Sequence, residues 1–383
     1  VMFQLIIVLT ALVCYTYLGY PVLIVILAKL FPQTRRVDVH SRPSVTWIVP
    51  CFNEEAIISS KIENLLALDY PKDKLEIIII TDGSTDQTPN IAKNYEYIQV
   101  LHQNRRGGKA AAENRAKKFA NGDIIVFNDA NTIVSSSALK QLIKHYAEPK
   151  VGGVSGAKGI IVKKKDSAES KGEGLYWKYE NLIKNADSNF NSLMGAAGEL
   201  VSFRSELVLD LPEDTILDDF MQSFNVLKKG YIMVYEPLAK AEETSSINVE
   251  EELKRKIRIA AGGWQSMSRL FFMLNIFRRP IQAWMYISHR VLRWSITAFA
   301  LPILYLLNAF ALTSNEPFLV ILFIAQSAFY FTALIAHQFR DKVLPGPILA
   351  LYYFVLMNFA VIIGFQRFIN GSQGGAWERS VRK

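Results

Sequence analysis

Between residues 82 and 131 the sequence gathers side chains able to handle a phosphorylated substrate and its metal. The stretch FNDANT (residues 127–132) ends an apolar run with Asp129 and Asn131, whose alternate positions in an extended chain turn both side chains to one side. A carboxylate and an amide oxygen so placed are donors for a hard cation, although capping of a helix near Ser135 would use the same residues. NRRGGK (104–109) opens a helical pattern with glycines and three cations. Backbone N–H groups at such a helix start carry partial positive charge and Lys109 adds a full one, which suits a diphosphate. The stretch is not a Walker A loop, since the G-K-S/T ending is absent. Asp82 begins a DGS turn, and turn chemistry alone would account for it. Asp218 and Asp219 precede another helical pattern, where the helix dipole by itself favours negative charge.

These groups need a scaffold that brings them together, and the hydrophobic pattern supplies one. Residues 44–50 and 75–81 read as strands, with a helical pattern through Leu68 between them for which Asn53 is the N-cap candidate. Short helix, strand, alanine-rich helix and strand follow at 85–95, 98–101, 109–120 and 123–127. The near-continuous apolar runs fit strands covered on both faces, so the expectation is an α/β layer with a mostly parallel sheet. Loops after the first, second and fourth strands then converge on one edge, carrying Glu54, Asp82, Asp129 and Asn131. Gathered carboxylates call for cations, which a divalent metal and a nucleotide would answer. No G-x-G-x-x-G follows the first strand, which argues against a dinucleotide dehydrogenase.

The flanks are of a different character. Half of the 383 residues are apolar, and they concentrate at the N-terminus and from about Val291 onward. Residues 2–31 are long enough to cross a hydrocarbon layer of roughly 30 Å and lack a basic n-region and a small-residue cleavage site. Segments 294–312, 318–336 and 348–365 meet the same criterion, giving about four crossings. Arg35, Arg36 and Arg42 place the middle of the chain in the cytoplasm, and a multi-pass cell-membrane protein is expected. Three crossings after a cytoplasmic middle would put the tail outside, against its Arg367, Arg379, Arg382 and Lys383, unless one late segment is re-entrant. The expected division is an anchor (1–31), a catalytic domain (32–265), interfacial amphipathic helices (266–293), a transmembrane bundle (294–366) and a basic tail (367–383). The net charge of +8 suits membrane lipids or an anionic substrate, while scattered basic residues without a binding motif argue against nucleic acid. Cys14 and Cys51 fall in different parts of the chain and are not expected to pair.

Seven stretches in order, VPCFNEE, TDGSTD, NRRGGKAAAEN, FNDANT, GAAGEL, LDDFMQSFNVLKKGY and RKIRIAAGGWQ, resemble the membrane-bound family-2 glycosyltransferases, the group of hyaluronan, chitin, cellulose and poly-N-acetylglucosamine synthases. The resemblance runs from about Val45 to Gln265. It implies a GT-A fold with a nucleotide-sugar site in which Pro50 and Glu54 lie beside the nucleoside, Asp82 reads the uracil edge and Lys109 approaches the diphosphate. It also implies that Asp129 and Asn131, on the Asp-x-Asp motif with Asn in its second place, bind the diphosphate through Mg²⁺ or Mn²⁺. Asp219 falls at the general base with Asp218 beside it, and Glu199 at the acceptor pocket. Arg255 and Arg258 share a helix face and stand where the Q/R-x-x-R-W signature meets a diphosphate, with Ile259 in place of the Trp and Trp264 later.

The function this implies is inverting transfer of a sugar from a UDP-sugar donor to a glycan acceptor in polysaccharide synthesis. The competing readings are single addition to a lipid-linked acceptor and a catalytically silent membrane subunit; partner subunits in the membrane are a further expectation. The sequence does not specify the sugar, the acceptor or the linkage.

Overall fold

The structure is a computed structural model that describes residues 2–161, 168–244, 248–314, 316–340 and 344–375. Eight strands form one sheet: β1 (Val45–Cys51), β2 (Leu75–Asp82), β3 (Ile98–Gln103), β4 (Ile124–Phe127), β5 (Ile133–Val134), β6 (Val151–Ile161), β7 (Val201–Arg204) and β8 (Ile232–Thr244). Their order is β3-β2-β1-β4-β7-β6-β8-β5. The β3-β2-β1-β4 half is parallel, with Trp47 level with Ile77 and Val126; β7 runs antiparallel between β4 and β6, and β6 and β8 are again parallel. This is the mixed, mostly parallel sheet of a GT-A fold.

Strict alternation explains why these strands are apolar throughout. Ile48, Ile78, Ile80, Ile125 and Phe127 point into one core, and Val45, Trp47, Val49, Ile77, Ile79 and Val126 into another on the opposite face. Helices Ile58–Leu66 and Ala138–Ile143 cover the second face, and helices Lys109–Lys117, Ala168–Phe190 and Asp218–Lys228 cover the first. The expected helix after β1 starts later than Asn53. That residue adopts a left-handed backbone (φ 54°), and its amide oxygen accepts from the Thr85 N–H instead (2.8 Å).

Three helices are long and apolar enough to cross a membrane: Met2–Leu30, Pro317–Gln338 and Gly346–Ile369. The span expected at 294–312 differs. Helix Ile296–Ala311 has 16 residues and reaches spanning length only together with Pro280–Trp294, from which it bends by 52°. The break falls at Ser295, whose φ of −141° and ψ of −92° leave the helical region. The expected interfacial segment is therefore divided: its first part finishes helix Val249–Arg269 and its last part is half of the bent pair. Leu18, Ile321, Ile324 and Leu334 project outward, as lipid-facing positions do. Cys14 and Cys51 are both free. Of the basic tail, Arg379, Arg382 and Lys383 lie outside the described residues.

Candidate active site

The carboxyl ends of the parallel strands meet beside the place where strand order turns from β1 to β4, the position where open α/β sheets hold ligands. Asp82, the last residue of β2, is fully buried there. One oxygen accepts from the N–H groups of Gly107 (2.9 Å) and Gly108 (2.7 Å), the other from Gln103 Nε2 (2.8 Å). Gly108 has φ 96° and ψ 170°, a region open essentially to glycine alone. Asp82 thus holds the glycine turn that starts helix Lys109–Lys117; its carboxylate is enclosed, unlike the base-reading group the resemblance implied. Pro50 is buried within β1, and Glu54 follows it at partial exposure with its N–H on Thr88 Oγ1 (2.7 Å). The Arg106 guanidinium lies 3.6 Å above the Phe52 ring, between these two loops.

At the centre the Lys109 ammonium lies 3.0 Å from both Asp129 and Asp218 and 3.8 Å from Glu113. Burial alone would lower its pKa, but Asp129 and Asp218 outweigh that and hold it well above the ordinary lysine value. Burial and the nearby Asp218 push Glu113 well above the ordinary carboxylate range. Asp129 is raised by burial, which the pull of Lys109 only partly offsets.

Asp219 begins helix Asp218–Lys228 beside this group, partly exposed at the site although protein surrounds it at longer range. Burial first, and Asp218 next, push its carboxyl up to about 7. The GAAGEL loop crosses above it. Ser223 Oγ donates to the Asp219 carbonyl (2.7 Å) and accepts from the Ala196 N–H (3.0 Å), tying loop to helix. A Cβ on Gly198 would stand 3.0 Å from Lys109 Nζ and 3.6 Å from Asp219 Cγ, so only hydrogen fits comfortably at that position.

Glu199, in the same loop, pairs with Lys158, which also pairs with Glu243. Burial works against ionisation of Glu199, but the Lys158 ammonium holds it below the usual range. Asn131 Nδ2 approaches Glu243 Oε2 at 3.4 Å. Arg255 and Arg258 part company. Arg255 is buried against Glu252 (2.9 Å), Glu173 and Glu243 (3.6 Å), an internal network rather than an open face. Arg258 makes no hydrogen bond or ion pair among the described residues, and Asp129, Asp218 and Asp219 all draw on its charge while burial lowers its pKa. Trp264 stands apart from the carboxylates, packed on Phe365 (4.5 Å between centroids) and Phe299 (6.3 Å). Glu252 lies on the same helix as Arg255, but Glu173 and Glu243 come from other elements and leave no mark in the spacing of Arg255 and Arg258.

Several positioning residues carry no chemical motif. Asn128 is nearly fully buried; its Nδ2 donates to Thr132 Oγ1 (2.7 Å) and to the Glu199 carbonyl, and its Oδ1 accepts from Lys61. It therefore ties the Asp129 loop to the GAAGEL loop. A buried lysine in an amphipathic helix signals such a role only once its partners are known.

Among the described residues no three His, Cys, Asp or Glu side chains converge as a closed metal site. Asp129, with a side chain 32% exposed, and Asn131 offer instead an incomplete oxygen set. That set fits Mg²⁺ or Mn²⁺, since such cations are held by one or two protein oxygens and complete their shell with phosphates and water. The hydrogen bond through Asn131 Nδ2 is compatible with ligation through its oxygen.

Residues 46–208 match the glycosyl transferase family 2 model. The chain is 32% identical over 246 residues to a poly-beta-1,6-N-acetyl-D-glucosamine synthase of Staphylococcus aureus, covering 62% of this chain and 58% of that protein. It is also 32% identical over 270 residues to a beta-monoglucosyldiacylglycerol synthase of Nostoc sp., covering 65% and 55%. The chain therefore spans somewhat more than half the length of these relatives. Among solved structures, a mannosyltransferase from Pyrobaculum calidifontis in complex with GDP-Man and Mn²⁺ superposes with a TM-score of 0.74 at 23% identity, over 97% of this chain and 100% of that one.

Proposed function

We propose that this chain, which carries a glycosyl transferase family 2 domain over residues 46–208, transfers a sugar with inversion from a UDP-sugar to a glycan acceptor in polysaccharide synthesis. The observation that carries the reading is the meeting of Lys109, Asp129, Asp218 and Asp219 at one sheet edge. In the reaction the acceptor oxygen forms a bond to the anomeric carbon while the bond from that carbon to the diphosphate oxygen breaks, and the acceptor proton passes to Asp219. Asp219 suits that role because a carboxyl titrating near 7 is both ionised and basic at neutral pH. Lys109 and Arg258 stabilise the negative charge that grows on the leaving diphosphate. Asp129 and Asn131 are the residues that would hold Mg²⁺ or Mn²⁺, whose contribution when bound is neutralisation of that same charge; the Mn²⁺ complex of the P. calidifontis protein supports this. Asp82 serves the donor by shaping the glycine turn, and Pro50 and Glu54 border the nucleoside. Glu199, locked to Lys158, lines the acceptor side. The domain of residues 32–265 faces the cytoplasm of a multi-pass membrane protein, in keeping with Arg35, Arg36 and Arg42 after the first apolar helix.

A second reading, addition to a lipid-linked acceptor, is favoured by an apolar cavity beside the site and by the likeness to the Nostoc synthase. The test is nucleotide release by purified full-length protein from UDP-glucose, UDP-N-acetylglucosamine, UDP-galactose and GDP-mannose, with Mn²⁺ and with chelator. Metal-dependent release from one UDP-sugar is expected. Release no greater than that of the Asp219→Asn variant with every donor would refute the transferase reading, and preference for GDP-mannose would refute the choice of nucleotide. Product length separates the two readings, because only a polymerase yields chains when acceptor is scarce.

A further inference from the structure

A cavity of about 530 Å³ lies where the apolar helices meet the catalytic domain. Its walls come from helices Met2–Leu30, Ala168–Phe190, Val249–Arg269 and Gly346–Ile369, and they are mainly aliphatic and aromatic, with Leu18, Tyr353 and Met357 among them. The volume is that of a small-ligand site, and the surface would receive hydrocarbon and reject water. Among the described residues the lining contains two charged side chains, Lys256 and Arg293, and no carboxylate.

Lys256 is loosely countered, whereas Arg293 pairs directly with Glu180. The carboxylate nearest Lys256 is Glu252 at 3.5 Å, and Glu252 is already held by Arg255 at 2.9 Å. Arg293 shares Glu180 with Arg290. Lys256 also rests on the Tyr176 ring at 4.2 Å, an arrangement that keeps the ammonium at the wall of the cavity. A negative group entering here would meet two cations whose acids are divided between partners.

The cavity also lies beside the chemistry. Trp294 lines it, and its ring stacks at 5.0 Å on Phe220, the residue after Asp219. Lys184, 3% exposed and without a hydrogen bond or ion pair among the described residues, lies near enough to feel Asp219 and Glu199 and faces the Trp177 ring at 5.4 Å. Packed basic and aromatic side chains thus separate the hydrocarbon-lined space from Asp219 by a single layer at Trp294 and Phe220.

We infer that this cavity seats the hydrocarbon chain of an anionic lipid acceptor, with the headgroup against Lys256 and Arg293 and the accepting group turned toward Asp219. This rests on the second reading above, and it makes the space between the helices a lipid seat rather than a passage for glycan.

The test uses the full chain in phosphatidylcholine nanodiscs carrying doxyl-labelled phosphatidic acid, with the motionally restricted spin fraction as readout. Wild type should show a saturable restricted fraction that labelled phosphatidylcholine does not match. Ala350→Trp places an indole in the cavity from an exposed position and should weaken that binding by about tenfold. Met357→Trp provides a second filling variant, and UDP affinity and thermal unfolding report that each variant is folded. Lys256→Gln should erase the preference for phosphatidic acid over phosphatidylcholine. Unchanged binding in a folded filling variant would overturn the seat, and a preference retained by Lys256→Gln would overturn the headgroup assignment. Slow donor hydrolysis, in which water takes the place of the acceptor and which Asp219→Asn should abolish, tests the transferase reading separately in detergent without lipid, so failure of one is distinguishable from failure of the other.

Discussion

Asp219 occupies the first turn of its helix, where the backbone dipole favours a negative charge, yet burial and the adjacent Asp218 raise its carboxyl to about 7. Enclosure and like-charge repulsion therefore outweigh the helix end. Because the base acts in its ionised form, kcat/KM should fall about tenfold per pH unit below neutrality and level off above it, as pH profiles of nucleotide release would reveal. Asp218→Asn removes the second cause of the elevation, so the acid limb should move to lower pH; an unmoved limb would assign the titration to another group. Asp219→Asn should lower transfer by about 10²–10⁴-fold with UDP affinity retained. Gly198→Ala would push a methyl against the Lys109 ammonium, 3.0 Å from the added carbon. As that ammonium belongs to the diphosphate contact, KM for the donor should rise more than kcat falls.

The turn from β3 through Gly107 and Gly108 into helix Lys109–Lys117, held by Asp82 at the end of β2, shows how an element is set by one buried carboxylate. Gly108→Ala would force a side chain onto φ 96° and ψ 170°, so a loss of about 1–3 kcal/mol is expected, readable as a lower midpoint in thermal unfolding together with weaker UDP binding. Much of the sheet's parallel half was legible in advance, because β1, β2 and β4 are apolar on both faces and end in polar turns. The meeting of Asp129 with Lys109 followed from that order, since strand ends share an edge. The second half was less legible: β6 is rich in glycine, and it pairs with distant β8 as well as with its sequence neighbour β7, a long-range choice. Asp82 was visible as a site residue but not as one enclosed by the glycine turn after β3, and the burial of Arg255 was not visible because two of its acids, Glu173 and Glu243, lie on other elements. Trp264 kept its helix but turned to Phe365, on a helix whose docking no local pattern encodes.

On the scale of the molecule, catalytic domain and apolar helices share buried polar contacts: Arg290 reaches Glu180 at 3.2 Å, and the Tyr20 hydroxyl donates to Asp187 at 2.6 Å. The two parts approach closely at Gly364, where an added Cβ would lie 2.5 Å from the Cβ of Ala260 and 2.8 Å from the Ala261 nitrogen. Gly364→Leu should overpack this seam and cost about 1–3 kcal/mol, seen as a lower unfolding midpoint in detergent. Ala260 stands two residues beyond Arg258 on the same helix. A tilt that the bilayer imposes on helix Gly346–Ile369 would pass through this tight contact to Arg258, the guanidinium proposed to meet the leaving group. Acyl-chain length in the surrounding membrane then becomes a kinetic variable, and turnover should differ between discs of short-chain and long-chain phosphatidylcholine even when donor, metal and acceptor are held constant.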